Sequence, residues 1–154
     1  MSETNPPRRV GRSIVAVLVG MVVGIVATIG TDIVLHQIGV FPPWGASMVG
    51  YDGALGLATL YRAIYGIAAS YIIARLAPDR PMQHALVGGF LGLVVGIVGA
   101  AVTWNKGPAF GPHWYPLALI VLAMPQAWVG CQLYVVQSRA HHQHDGQTNA
   151  GEQR

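Results

Sequence analysis

Residues 13–32 (SIVAVLVGMVVGIVATIGTD) form one stretch with no charged side chain until the final aspartate. A helix rises about 1.5 Å per residue, so a helix of this length nearly matches the hydrocarbon core of a bilayer, about 30 Å. An amphipathic helix of a soluble protein keeps a polar face, and this stretch has none. The sequence therefore predicts a membrane-spanning helix, preceded by a polar arm at residues 1–12.

Three further apolar segments follow the first. The predicted helices are about residues 13–37, 54–76, 82–104 and 113–137. Composition agrees with membrane insertion, because 10% of the residues are charged and 53% hydrophobic, against about 25% and 45–50% in soluble proteins. We therefore expect an all-α fold, a four-helix transmembrane bundle over residues 13–139. The polar residues 140–154 are expected to be a disordered cytoplasmic tail.

Basic residues fall almost entirely on one side of this predicted bundle. That side holds Arg8, Arg9, Arg12, Arg75, Arg80, Arg139 and Arg154. Lys106 alone falls on the other side. The positive-inside rule then predicts that both termini are cytoplasmic. The net charge of +3 is small, and its placement indicates orientation in a lipid bilayer rather than nucleic-acid binding. The pattern is typical of short integral proteins of the bacterial inner (plasma) membrane.

Glycines are spaced by four residues in two of the predicted helices. They are Gly20 and Gly24 in helix 1, and Gly88, Gly92 and Gly96 in helix 3. Residues four apart share a helix face, and small residues let helices approach closely in lipid. Two interpretations stay open. The favoured one packs helix 1 on helix 3 within one bundle, and the other makes helix 3 a homodimer contact.

Two charged residues lie inside the predicted spans, Asp32 and Arg62. Side chains lean toward the N-terminus of their own helix, so these two converge from opposite directions. We expect them to pair near the outer boundary. Intramembrane charges mark candidate functional sites, and the neighbours His36, Tyr61 and Tyr65 complete a hypothetical outward-facing polar site. A surface clamp without further function is the competing interpretation.

The remaining chemistry-bearing residues carry less weight. Cys131 is the one cysteine, so no disulfide forms within the chain. His141, His142 and His144 are weak metal-ligand candidates in the polar tail, with no scaffold to hold them. Pro125 interrupts the hydrogen bonds of helix 4 next to Gln126, which we expect to serve packing. The sequence predicts no catalytic residue, no cofactor and no metal site.

These observations favour a non-enzymatic membrane protein of structural or accessory type. Such a protein would self-associate, or join a larger membrane complex, through its glycine-rich helix faces. The alternative is a small transporter or channel with its polar site around Asp32, His36 and Arg62.

Overall fold

The computed structural model describes the backbone of residues 8–107 and 110–152, and side chains within residues 10–107 and 110–140. These residues form four helices and no strand. The helices are α1 (Arg8–Gln37), α2 (Asp52–Leu76), α3 (Pro81–Thr103) and α4 (Trp114–Glu152). All four are long and apolar enough to cross a membrane. The predicted all-α, four-helix membrane fold is confirmed, and the cytoplasmic placement of the termini stays a prediction.

The helix boundaries follow from local backbone chemistry. Gly39, with φ of +78°, takes the left-handed conformation that turns the chain away at the end of α1. Arg80 takes it with φ of 48° in the short connection before Pro81, which occupies the first turn of α3. The backbone of α4 continues as helix to Glu152, past the predicted end near residue 137.

Helix α2 is the central element of the bundle. It packs on α1, α3 and α4, and its contact with α4 is the most extensive in the structure. In the most apolar part of α2, 28% of the residues are buried by the rest of the protein. The corresponding share is 17% in α1 and in α3. Helix α1 packs mainly on α2 and touches α3 much less. Of the helix pairs that pack extensively, α1 and α3 have the least contact.

Two buried clusters close the ends of the bundle. Phe41, Ala58 and Tyr61 form one beside the long loops. Ala74, Ala85 and Cys131 form the other, beside the short connection between α2 and α3. Many large apolar side chains between these clusters point outward, as expected for helices surrounded by lipid.

The glycines of α1 pack on α2, which corrects the expectation that helix 1 packs through them on helix 3. A β-carbon on Gly20 would stand 2.7 Å from the Ala69 carbonyl oxygen, and one on Gly24 would stand 3.3 Å from the Ala69 side chain. The small side chain of Ala69 accounts for this choice, because small residues on both helices permit the closest approach. Consecutive helices are also usual neighbours in a bundle.

The glycines of α3 differ in what they contact. A β-carbon on Gly88 would stand 2.5 Å from Ile73 of α2, and one on Gly96 would stand 3.4 Å from Ile120 of α4. Around the same position on Gly92, no atom of the described residues lies within 4 Å. The predicted packing glycines of this helix therefore contact α2 and α4, and Gly92 borders open space.

Candidate functional site

The predicted pair of intramembrane charges is present. Nη2 of Arg62 donates a hydrogen bond of 2.7 Å to Oδ2 of Asp32, which joins α2 to α1. The side chains of Arg62 and Asp32 are 26% and 18% exposed, so both are largely enclosed by protein. A charge-assisted contact in such surroundings is stronger than one in water, and leaving either partner alone there is costly.

Aromatic rings surround this pair. The hydroxyl of Tyr61 donates a hydrogen bond to Oδ1 of Asp32, so both oxygens of the carboxylate are occupied. The guanidinium carbon of Arg62 lies 5.8 Å from the ring centre of Tyr61 and 5.5 Å from that of Tyr115. Cations are attracted to ring faces at this range. Sequence reasoning missed Tyr115, although α4 begins on the loop side of the bundle, where Arg62 also lies.

Tyr65 joins the same two helices one turn further along. Its hydroxyl lies 2.8 Å from Oγ1 of Thr31. The Thr31 hydroxyl donates its single proton to the Ala27 carbonyl oxygen at 2.9 Å, so Tyr65 is the donor to Thr31. Tyr65 therefore stabilises the contact between α1 and α2 beside the Asp32–Arg62 pair. The partner of its hydroxyl in this bond is Thr31, not the carboxylate of Asp32.

His36 lies near the pair but makes different contacts. Because a carbonyl oxygen can only accept, Nδ1 of His36 donates the 2.7 Å hydrogen bond to the backbone oxygen of Asp32. The His36 ring stacks on Trp44, with ring centres 3.7 Å apart and planes 3° from parallel. The structure thus brings His36 to the backbone of Asp32 and to the first loop.

A cavity of about 370 Å³ lies between the four helices, with Arg62 among its lining residues. Most of the lining is apolar or glycine. Ile25 and Ile29 of α1 and Val95 of α3 line it while remaining 51%, 52% and 65% exposed. From this exposure and from the sparse contact between α1 and α3, we infer that the cavity opens between these two helices.

Gln126 supplies a second polar group in the wall of this cavity. Its Oε1 atom is buried and has no hydrogen-bond partner among the described residues. The carboxamide lies against Gly66, where any larger residue would collide with it. An unpaired buried acceptor costs about 1–3 kcal/mol. The sequence indicated Gln126 through its position after Pro125, but gave no sign that it borders a cavity.

The histidine candidates of the tail, His141, His142 and His144, lie outside the residues whose side chains are described. Within the described part of the chain, no group of three or more His, Cys, Asp or Glu residues is placed to hold a metal ion. Comparisons with protein-family models, with curated proteins and with solved structures found no match to this chain.

Proposed function

We propose that this protein is a non-enzymatic, accessory membrane protein that binds the apolar chain of a bilayer molecule in the cavity between its helices. The molecule enters sideways, from the plane of the membrane, through the opening between α1 and α3. The apolar interior of the cavity would bind the chain of this molecule, and the polar end of the cavity would select its head group.

One observation carries this proposal: a mostly apolar cavity lies between the four helices and borders Gly92, where a β-carbon would meet no described atom within 4 Å. Its volume of about 370 Å³ lies within the range of small-molecule sites, about 300–1,000 Å³. Such sites are mostly apolar with a few placed polar groups, and here the polar lining residues are Thr28, Arg62, Tyr65, Ser70 and Gln126. Cavities between the helices of a bundle are a usual place for ligands.

Association with a second copy or with a larger membrane complex is the second candidate. Gly92 and Gly99 lie two turns apart on α3, and no described atom stands within 4 Å of a β-carbon built on either. Gly20, Gly24 and Gly88 already contact α2, so this part of α3 is the glycine-rich surface that remains open. A helix of another chain seated there would close the opening that lipid otherwise occupies.

The transporter hypothesis has less support from the geometry. The carboxylate of Asp32 and the guanidinium of Arg62 neutralise each other, and His36 bonds to a backbone carbonyl oxygen. Proton or ion flux through reconstituted vesicles, lost on Asp32→Asn, would favour a transporter over the binding protein proposed here.

Photolabelling in a bilayer tests the proposal. The full chain is reconstituted in phosphatidylcholine nanodiscs that contain traces of a long-chain lipid bearing a diazirine in its chain. We expect saturable labelling concentrated within residues 21–29 and 88–96. Gly92→Ile adds a four-carbon side chain to the cavity lining, and we expect it to reduce this labelling at least tenfold. The matched control Gly99→Ile adds the same side chain outside the cavity lining and should leave labelling unchanged.

Two results would contradict the proposal. One is labelling spread evenly over the apolar surfaces of all four helices, with equal yields in the two variants. The other is labelling of α3 that disappears when copies cross-link to each other through α3, which would support the second candidate instead.

A further inference from the structure

The two ends of the cavity differ in chemistry. Arg62 lies at the loop-side end, because every other lining residue of α2 follows it in the chain, as far as Ile73. On α1 the lining residues nearest the pair are Thr28 and Ile29, and the lining then runs down to Met21. A molecule inside the cavity therefore presents one end to Arg62 and the rest of its length to a mostly apolar lining.

The polar end of the cavity carries no net charge. Arg62 and Asp32 balance each other at 2.7 Å, and Tyr61 occupies the second carboxylate oxygen. A guanidinium has five N–H donors, and the bond to Asp32 occupies one of them. The site therefore offers N–H donors without a net positive charge. An anion placed here would lose its hydration without meeting a net positive charge, which costs more than placing an uncharged group there.

The oxygen of Gln126 is closed to a molecule in the cavity. Oε1 is buried against Gly66, which lies one helical turn, about 6 Å, along α2 from Arg62. At the loop-side end the ligand therefore meets Arg62, and a guanidinium can only donate hydrogen bonds. A head group that accepts hydrogen bonds without carrying a charge fits this end, and a hydroxyl group does so.

On the basis of the proposed function, we infer that the ligand is an uncharged amphiphile with one long apolar chain and a hydroxylated head. The hydroxyl oxygen accepts a hydrogen bond from Arg62. The single chain follows from the volume, since about 370 Å³ is near the lower limit of small-molecule sites, about 300 Å³. Long-chain alcohols and monoacylglycerols belong to this class.

The neutral pair also predicts how the preference can be reversed. Asp32→Asn removes the negative charge and leaves Arg62 with its positive charge. The altered site then attracts an anionic head of the same chain length. Asp32→Asn thus changes head-group preference without touching the apolar part of the cavity.

Competition in nanodiscs tests this inference. The full chain in phosphatidylcholine nanodiscs at pH 9 is photolabelled with a diazirine-bearing long-chain alcohol. The unlabelled competitors are the alcohol, the fatty acid and the alkane of equal chain length. We expect half-maximal competition by the alcohol at about tenfold lower concentration than by the acid or alkane, equivalent to roughly 1.4 kcal/mol. In Asp32→Asn, the acid should become the stronger competitor.

Equal competition by alcohol, acid and alkane, with labelling still blocked by Gly92→Ile, would overturn the head-group inference and leave the proposed function standing. Labelling that Gly92→Ile and Gly99→Ile affect equally would overturn both.

Discussion

The contact between α2 and α4 and the opening between α1 and α3 use glycine in opposite ways. On α4, a β-carbon on Gly130 would stand 3.0 Å from the backbone nitrogen of Tyr71 and closer still to the carbonyl oxygen of Ile67. At the same position on Gly92 of α3, no described atom stands within 4 Å. Glycine at the first place makes a tight helix contact, and glycine at the second helps to leave a cavity.

The difference shows that one glycine run can change role along a single helix face. Both Gly88 and Gly92 line the cavity, but Gly88 approaches Ile73 of α2 closely, whereas Gly92, one turn further, has no such neighbour among the described residues. Helices in lipid are held by close contact and dispersion, so an unfilled space in the bundle sacrifices stability. We interpret the space at Gly92 as room for a ligand, and the following predictions test that contrast.

The largest expected effect comes from Gly130→Ala. The added methyl group would collide with the backbone of α2 at Ile67 and Tyr71, which cannot move aside without disturbing both helices. We expect the free energy of unfolding to fall by about 3 kcal/mol, the upper end of the usual overpacking range. Unfolding in bicelles, followed by circular dichroism, measures it. A loss below about 0.5 kcal/mol would mean that α2 and α4 do not approach this closely.

The second largest loss in the free energy of unfolding is expected for Asp32→Asn. It leaves Arg62 without its carboxylate partner in a largely enclosed position, and the pair is what joins α1 to α2 beside the opening. We expect a loss of about 2 kcal/mol. A double-mutant cycle with Arg62→Gln checks the cause. Additive losses from the two variants would show that the pair contributes nothing as a pair.

Tyr65→Phe should have a smaller effect. It removes the hydroxyl that donates to Thr31, while the aromatic ring and its packing stay. Hydrogen bonds between membrane helices average about 0.6 kcal/mol, and we expect a loss of that size. Thr31→Val combined with Tyr65→Phe should cost little more than either change alone. A clearly larger loss in the double variant would show that each residue acts through another partner.

Gly92→Ala should have the smallest effect, and the opposite sign to Gly130→Ala. The methyl group meets no described atom, and alanine favours helix over glycine by about 0.5–1 kcal/mol. We expect the free energy of unfolding to stay the same or rise by up to about that amount. A loss approaching that of Gly130→Ala would mean that α1 or a second copy fills the space in the bilayer.

Much of the fold was predictable from the sequence. The apolar runs and the proline-containing connections gave the bounds of the first three helices to within a few residues, apart from the earlier start of α1 at Arg8. The contact between Asp32 and Arg62 was predictable too, because depth in the bilayer and side-chain direction follow from position along a helix. The helix bounds depend on the sequence of each helix alone. The Asp32–Arg62 contact depends on the depth of each residue in the bilayer, which is the same reference for all helices.

The partners of the glycine faces were not predictable in the same way. Periodicity shows that Gly20 and Gly24 share a face, but the order of helices around the bundle decides that α2 covers it. The cavity was equally hidden, because it arises where α1 and α3 separate at Gly92. The contact of Tyr115 with Arg62 depends on the same arrangement of helices.

Oxygen accessibility at position 92 tests most directly whether the space between α1 and α3 is open to lipid. A nitroxide is attached to Gly92→Cys in a Cys131→Ala background in phosphatidylcholine nanodiscs, with Val98→Cys, on the exposed side of α3, as the lipid-facing reference. We predict collision rates with oxygen at position 92 that match those at position 98, and low rates with a polar nickel complex at both. An immobilised label at position 92 that oxygen does not reach would contradict the account.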